Sequence, residues 1–391
     1  MNRRKILISG GGIAGLTLAI QLKQNGFEPL VIEREPGPRT EGYMMDFFGT
    51  GWDVAERMGL TGRLRAVRYP IDALEFVDGA GKAWLHVPIS RVGRALGGKY
   101  VYLRRQDLEA ILAERAAEMG VAIRYGMSIA AIVDHGDGVQ VQFEDRGEDQ
   151  FALVIGADGV HSRVRHLVFG PEREFARFLG LYVAAFHSTA GRDALGRVVK
   201  IHEDTDRMLM AYPLDGERID ATYMLRHAEA DIAKAQRLTF MRQNFRGAGW
   251  IAEDLLRAHN DKQPIFFDTA TQIVMPHWHR GRIVLVGDAC GCLTLLAGQG
   301  SHMAMAGAYV LAQELARNDD HKAAFAAYQS FLKPHVEKRQ RDAARFAGIF
   351  VPSRRSHPWL RRLALRAFFS EFLLTKGFAF FGTKSVLHGR T

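Results

Sequence analysis

The chain has 391 residues, 47% of them hydrophobic and 24% charged, with a formal net charge of +9. That length allows two or three domains with substantial cores, and no apolar run nears the ~18 residues of a membrane-spanning helix. The excess charge is local: residues 351–391 hold eight Lys or Arg against one acid, Glu371, and the body, at only +2, is not a nucleic-acid surface.

The N-terminus, MNRRKILISGGG, has a short apolar run that breaks at glycine. A secretory signal needs a longer apolar core, so this start reads as a buried first strand and the expected location is the cytoplasm. Cys290 and Cys292 are the only cysteines and stand too close to staple distant parts of a fold. Their scarcity suggests a reducing compartment, and they read as two small loop residues.

In RRKILISGGGIAGLTLAIQLKQNGFEPLVIERE, Ile6 to Ile8 form a strand and Gly10, Gly12 and Gly15 give G-x-G-x-x-G. Leu16, Leu18, Ala19 and Leu22 continue at helical spacing, and Asn25-Gly26 stops the helix. A second strand, Leu30 to Ile32, ends in Glu33. Gly10 permits the tight turn, Gly12 lets backbone approach a pyrophosphate, and Gly15 lets helix and strand pack closely. The helix N-terminus offers N–H groups to phosphates, and Glu33 is placed for a ribose. Ala14 and Arg34 join these residues as expected cofactor contacts. This motif alone leaves NAD and FAD both open.

FALVIGADGVHSRVRHLVFG carries another buried strand, then Asp158-Gly159, then Arg163 and Arg165 at the start of a predicted helix. GRIVLVGDACGCLTLLAGQG carries a third strand, Ile283 to Val286, followed by Gly287-Asp288 and a loop ending in Gly298-Gln299-Gly300. With these three motifs in order, the chain resembles the class A flavoprotein monooxygenases of the p-hydroxybenzoate hydroxylase type, over residues 5 to about 340. The resemblance implies an α/β fold: a Rossmann-like FAD-binding domain of the glutathione-reductase type, an inserted antiparallel-sheet substrate domain and a C-terminal helical tail. The implied FAD domain takes residues 1–69, 100–172 and 277–345, and the substrate domain takes 70–99 and 173–276. Residues 346–391 form an amphipathic helical segment capping the substrate opening.

The resemblance also implies cofactor contacts. Asp288 matches the acid that binds the ribityl chain and pyrophosphate region, with Gly298 and Gly300 beside it. Asp158 and Gly159 match a motif serving both FAD and the nicotinamide cofactor. Arg105 in YLRRQDLEAIL matches a flavin-contacting arginine. In PRTEGYMMDFFG, Asp46 matches a flavin neighbour and Arg39 an NADPH contact. Two departures bear on the reaction chamber: Gly291 stands where many members have His, and Thr294-Leu295 stand where prolines are usual. His302 sits where many members have Asn, and reads better as a backbone or flavin hydrogen-bonder than as an acid or base.

Between the second and third motifs, GLYVAAFHS, GRVVKIHE, RMLMAYPL, RIDATYMLRH and IFFDTATQIVMP read as strands, with turns such as Asp215-Gly216 between them. Alternation puts Tyr182, Ala184 and Phe186 on one face. Tyr182, Phe186, Met208, Met210, Tyr223 and Thr294 are the candidate pocket-lining residues, against the alternative of plain core packing. No Ser/His/Asp triad and no metal-ligand cluster is apparent by spacing. No side-chain acid or base is assigned to catalysis.

MAMAGAYVLAQELAR and KAAFAAYQSFLKPHVEKRQRDAARFAG are predicted helices. In WLRRLALRAFFSEFLL, Arg362, Arg366 and Ser370 make a polar stripe beside a broad apolar surface, and Phe378, Phe380 and Phe381 follow. That surface either docks back on the protein and closes the pocket or lies on an anionic membrane; docking is favoured. The tail, with RTEGYMMDFFG, NFRGAGW, FDTATQIVMPHWHRGRIVLVGDA and AGAYVLAQELA, resembles the tetracycline-inactivating branch of the family.

The resemblance implies that NADPH, or less readily NADH, reduces FAD, that reduced flavin captures O2 as a C4a-hydroperoxide, and that one oxygen passes to a small polycyclic substrate such as a tetracycline. A monomer is expected. The alternatives are an aromatic or polyketide hydroxylase of the same mechanism, a flavoprotein that binds without turnover, and a membrane-peripheral flavoprotein acting on a hydrophobic compound. The W-x-W-x-I-P pattern of flavin-dependent halogenases is absent.

Overall fold

The computed structural model describes residues 5–39, 43–144, 147–214, 216–228, 232–260, 263, 265–294, 298–353, 357–370 and 385–388. Of the residues singled out above, Asp215, Leu295, Glu371, Phe378, Phe380 and Phe381 lie outside the described residues, as does part of the RTEGYMM stretch.

The first half of the chain runs β1 (Lys5–Ser9), α1 (Ile13–Gln24), β2 (Glu28–Glu33), β3 (Met44–Phe48), α2 (Gly49–Arg57), α3 (Thr61–Ala66), β4 (Ala73–Val77), β5 (Ala83–Pro88), α4 (Ile89–Ala95), β6 (Tyr100–Arg104), α5 (Arg105–Glu118) and β7 (Ala122–Tyr125). It continues through β8 (Ile129–Asp134), β9 (Val139–Phe143), β10 (Glu148–Phe151), β11 (Leu153–Gly156) and α6 (Arg163–Val168). The second half runs β12 (Ala176–Ser188), β13 (Val198–Asp204), β14 (Arg207–Pro213), β15 (Ile219–Arg226), α7 (Arg237–Asn244), α8 (Ala252–Ala258) and β16 (Phe266–Ile273). Last come β17 (His279–Arg280), β18 (Ile283–Leu285), α9 (Asp288–Gly291), α10 (Gly300–Arg317), α11 (His321–Phe350) and α12 (Pro358–Phe368).

The three motif strands lie side by side. One sheet has the order β17-β18-β11-β1-β2-β7, parallel throughout except for β17. Helices cover it, which is why its strands are continuous apolar runs: Ile6, Leu7, Ile8, Val154, Ile155, Val284 and Leu285 are fully buried. Because β1, β2, β11 and β18 run parallel, Gly10, Glu33, Asp158 and Asp288 all come at the carboxyl ends of their strands. That is where ligands bind in open α/β sheets.

The second large sheet has the order β16-β12-β15-β14-β13-β4-β5 and is antiparallel except between β13 and β4. Its five later strands are those expected from alternation. Each face carries its own apolar cluster. Tyr182, Ala184, Phe186, Leu209, Tyr223 and Leu225 pack with Met241 and Phe245 of α7 and its end and Leu255 of α8. Leu181, Val183, Met208, Tyr212 and Met224 pack with Met44 and Tyr102 of the β3–β6 ribbon.

Helix α11 joins the two sheets. Its 30 residues continue through Pro334 and span about 45 Å at 1.5 Å per residue. Near one end the Tyr328 hydroxyl donates to Leu285 O at 3.2 Å, in the parallel sheet. In the middle Gln340 Nε2 donates to Ile273 O and Cys292 O, at 2.7 and 2.9 Å. At the other end Arg226 of β15 donates to Ala347 O at 3.2 Å and to Val351 O at 2.8 Å.

The described part of the tail packs on the protein. Arg361 makes a two-pronged ion pair with Glu203, at 2.9 and 2.8 Å. Arg366 donates to Trp84 O at 3.1 Å, and the Phe369 ring meets Phe76 at 5.9 Å. Further on, Val386 N–H donates to Thr50 Oγ1 at 3.2 Å, and Leu387 is buried in the core around the parallel sheet. The tail therefore touches one sheet and then the helices of the other.

Candidate active site

The turn after β1 is built only for glycine. Gly10 has φ +115°, and a side chain there would meet Ala157 O at 2.4 Å. A Cβ on Gly15 would lie 1.9 Å from Gly10 O. Gly12, the N-cap of α1, is roomier: its first neighbours are Glu109 Oε1 at 3.4 Å and Arg105 Nη2 at 3.9 Å. No side chain caps α1, so its first-turn N–H groups face outward beside those two side chains. Helix α10 also begins without a side-chain cap, at Gln299. Gly287 brings the two helices together: a Cβ there would meet Ala14 Cβ at 2.9 Å and Ala304 Cβ at 3.5 Å.

Acids stand at both ends of this cradle. Glu33 is held by Gly11 N–H at 2.9 Å and Glu35 N–H at 3.1 Å, with lone pairs left for hydroxyl donors. Asp288 opens α9, a short helix where a loop was expected, and a Cβ on Gly300 would lie 3.8 Å from its Oδ1. Burial raises the Asp288 carboxyl above its ordinary value while Arg105 pulls it back. Burial pushes the Arg105 guanidinium down, but Glu109 at 2.8 Å, Tyr43 and Asp288 outweigh it, and the net shift is upward. Burial pushes the Tyr43 hydroxyl up to about 12, against Arg105. Helix N-termini for phosphates, acids for ribose or ribityl hydroxyls and one arginine make a donor set that fits FAD.

Asp158 is tied to its own turn. Its carboxylate accepts from Ser162 Oγ, from Arg163 N–H at 2.8 Å and from Val164 N–H at 3.0 Å, capping α6. Gly159 follows at φ +77° with open space around it. Arg165, which the sequence does not single out as a site residue, is fully buried. It donates to Ala289 O at 3.1 Å and pairs with Glu172 at 2.9 Å. Only this long-range contact reveals its role, and no local pattern could have.

The wall between the cradle and the antiparallel sheet is aromatic. Asp46 on β3 accepts from the Tyr100 hydroxyl; burial raises its carboxyl, and Tyr100 and Tyr102 pull it back. Tyr102 meets Tyr212 at 6.5 Å, and the Tyr212 hydroxyl points to Met210 Sδ at 3.8 Å. His302 packs on Phe47 and Phe48, and its Nε2 accepts from Phe48 N–H at 3.4 Å. Burial, aided by Arg339, drops its pKa to about 4, so the ring is neutral. Gly291 is closely packed: a Cβ would meet Val336 Cγ1 of α11 at 2.9 Å. Thr294 is buried at φ +107°, a strained conformation for a β-branched residue, and its hydroxyl finds no partner among the described residues.

The pocket-lining set divides. Met208 and Met210 lie on the face toward Tyr102 and Tyr212. Tyr182, Phe186 and Tyr223 lie on the opposite face, under α7 and α8, where Tyr223 donates to Ala252 O at 2.9 Å. These three are core residues, because alternation groups side chains by face without saying which face is covered. Arg34 pairs with Glu35 at 3.5 Å, and Arg39 is exposed. A cleft of about 320 Å³ beside α12, lined by Asp78, Trp84, His202, Glu203 and Arg361 among others, contains none of the three motifs.

Fold and site together define an FAD-dependent monooxygenase. The chain belongs to the FAD binding domain family, whose model matches residues 3–342. It is 34% identical to a flavin-dependent monooxygenase from an unknown prokaryotic organism, over 86% of this chain and 88% of that one. Its fold is similar to that of the tetracycline destructase Tet(55), with a TM-score of 0.86 and 30% identity over 99% of both chains. The tetracycline destructase Tet(51) follows at 0.77 and 27%, over 94% of this chain and 96% of that one. Among the described residues no helix is long and apolar enough to cross a membrane, and no group of His, Cys, Asp and Glu could hold a metal ion.

Proposed function

We propose that the protein uses NADPH, or less readily NADH, and O2 to oxygenate a tetracycline-type antibiotic and so inactivate it. The observation that carries this reading is the likeness to Tet(55) over 99% of both chains, which takes in the tail as well as the three motifs. Bound FAD supplies the redox and oxygen-activating chemistry.

The chain's own residues bind, orient and exclude water. The first turns of α1 and α10 hold the phosphates, Glu33 and Asp288 hold the sugar hydroxyls, and Arg105 balances charge at the flavin. Arg39 would meet the nicotinamide cofactor, and the backbone at Ala157-Asp158 abuts Gly10. Asp46, Tyr100, Tyr102, Tyr212, Met208 and Met210 form the wall that a flat substrate stacks on. His302 stays neutral and fixes β3 through Phe48. Helix α12 and Val386–Leu387 close the opening.

The test is NADPH consumption and O2 uptake by the FAD-loaded protein with and without a tetracycline. Stimulated consumption and a product heavier by one oxygen atom support the reading. Turnover that ignores tetracyclines moves the substrate to another electron-rich aromatic compound.

A further inference from the structure

Docking uses only one side of α12. Arg361 and Arg366 hold it to the sheet, and Leu365 and Phe369 join the apolar cluster beneath. The other side is apolar too. Trp359 is 65% exposed, Leu363 60% and Leu360 46%, and Ile349, whose carbonyl accepts from Arg361, is 62% exposed. These are four of the six large hydrophobic residues exposed among the described residues, gathered within fifteen positions of sequence. A patch of this kind marks an interaction surface.

The helix segment itself is basic, and the acids near it, Asp78, Glu203 and Asp204, line the cleft beside α12. From Ala343 to Ser370 the sequence has six arginines and neither Asp nor Glu. One of them, Arg361, is spent on Glu203, and Arg362 lies over the Trp84 ring at 5.2 Å. A second copy of this chain would bring the same positive charge against itself, so self-association on this face is opposed. A bilayer with anionic headgroups offers both things the face lacks, a negative surface and a shallow apolar layer.

We propose that the outer face of α12, centred on Trp359, Leu360 and Leu363, docks the protein on anionic lipid bilayers. The helix lies in the plane of the interface. Its 11 residues span about 16 Å, half the hydrocarbon thickness, and its inner side stays on the sheet. Trp359 sits at headgroup depth, where an amphipathic ring is stable. The proposal is independent of the substrate reading.

The test is co-sedimentation of the full-length, FAD-loaded protein with phosphatidylcholine vesicles and with vesicles containing phosphatidylglycerol. The expected result is binding at least about tenfold stronger to the anionic vesicles, weakened by salt. The Trp359→Ser, Leu363→Ser double variant should lose that binding at unchanged melting temperature, and Arg362→Glu should weaken it. No enrichment on anionic vesicles overturns the proposal, as does equal binding by the double variant. Self-association by analytical ultracentrifugation that the double variant abolishes, without vesicle binding, also overturns it and makes the face an interface between copies.

Discussion

The buried Arg165 guanidinium donates to the carbonyl of Ala289 at 3.1 Å, joining the loop after β11 to the helix that carries Asp288. The second and third motifs are therefore one mechanical unit. Arg165→Met should cost about 3 kcal/mol by leaving the Ala289 and Val160 carbonyls without their donor and Glu172 with His161 alone. It should also weaken FAD retention. Arg165→Lys should not rescue it, since one ammonium cannot reproduce the planar fork. Melting temperature and FAD content after gel filtration read both effects; a lysine variant with full FAD content would falsify the clamp.

The glycines of the first turn should separate folding from binding. Gly15→Ala forces Cβ into the Gly10 carbonyl and should prevent folding or cost several kcal/mol. Gly12→Ala has 3.4 Å to its first neighbour and should fold. Its methyl group stands where the pyrophosphate approaches, and FAD affinity should drop at least about tenfold. Circular dichroism with flavin-fluorescence titration separates the two. Equal FAD affinity in Gly12→Ala and the parent would remove the cradle from this turn.

His302 gives a pH signature. Its folded pKa, about 4, is below the unfolded value near 6.5. The neutral ring therefore contributes stability that is complete above pH ~6.5 and is lost as pH falls toward 4, by up to about 3 kcal/mol. His302→Asn should flatten that part of the stability–pH profile. Urea melts from pH 7 to 4 check this, and parallel profiles for the two proteins would refute it.

The Arg361–Glu203 pair pins α12. Both side chains are largely buried, so Arg361→Ala leaves a carboxylate without its partner and should cost about 3 kcal/mol. Limited proteolysis should then cut the 351–357 stretch faster. Unchanged cleavage would mean that the apolar contacts of Leu365 and Phe369 hold the helix alone.

The two faces of the antiparallel sheet predict opposite kinetic behaviour. Met210→Ala should raise KM several-fold with little change in stability, because Met210 faces the aromatic wall. Phe186→Leu should lower the melting temperature by a few degrees and leave KM alone, because it sits under α8. Steady-state kinetics on whichever substrate stimulates NADPH consumption decide; the reverse pattern would put the pocket on the helix side.

These contrasts mark what a linear sequence carries. The turn at Gly10, the acid after β2 and the acid after β18 are local devices, and each announces itself within a few residues. The five later strands of the antiparallel sheet were readable from alternation for the same reason. Tyr182 and Met210 were not separable, because the cover of each face comes from α7 and α8, or from β3 and β6, far away in sequence. Arg165 stood only as one of two arginines at a helix start, since its partners Glu172 and Ala289 are brought to it only by folding. Gly291 read as a missing histidine, and the side chain packed against it, Val336, is 45 positions on.

Helix α11 has a mechanical consequence. It is fastened to Leu285 of one sheet, to Ile273 and Cys292 between the sheets, and to Arg226 of the other. A stiff rod bolted at three points acts as a splint, and it denies the molecule a clamshell motion. Traffic in and out of the chamber is left to the parts that are merely laid across it. The tail is latched at Glu203 and Thr50, and the Arg361 of the first latch also holds the end of the rod at the Ile349 and Phe350 carbonyls.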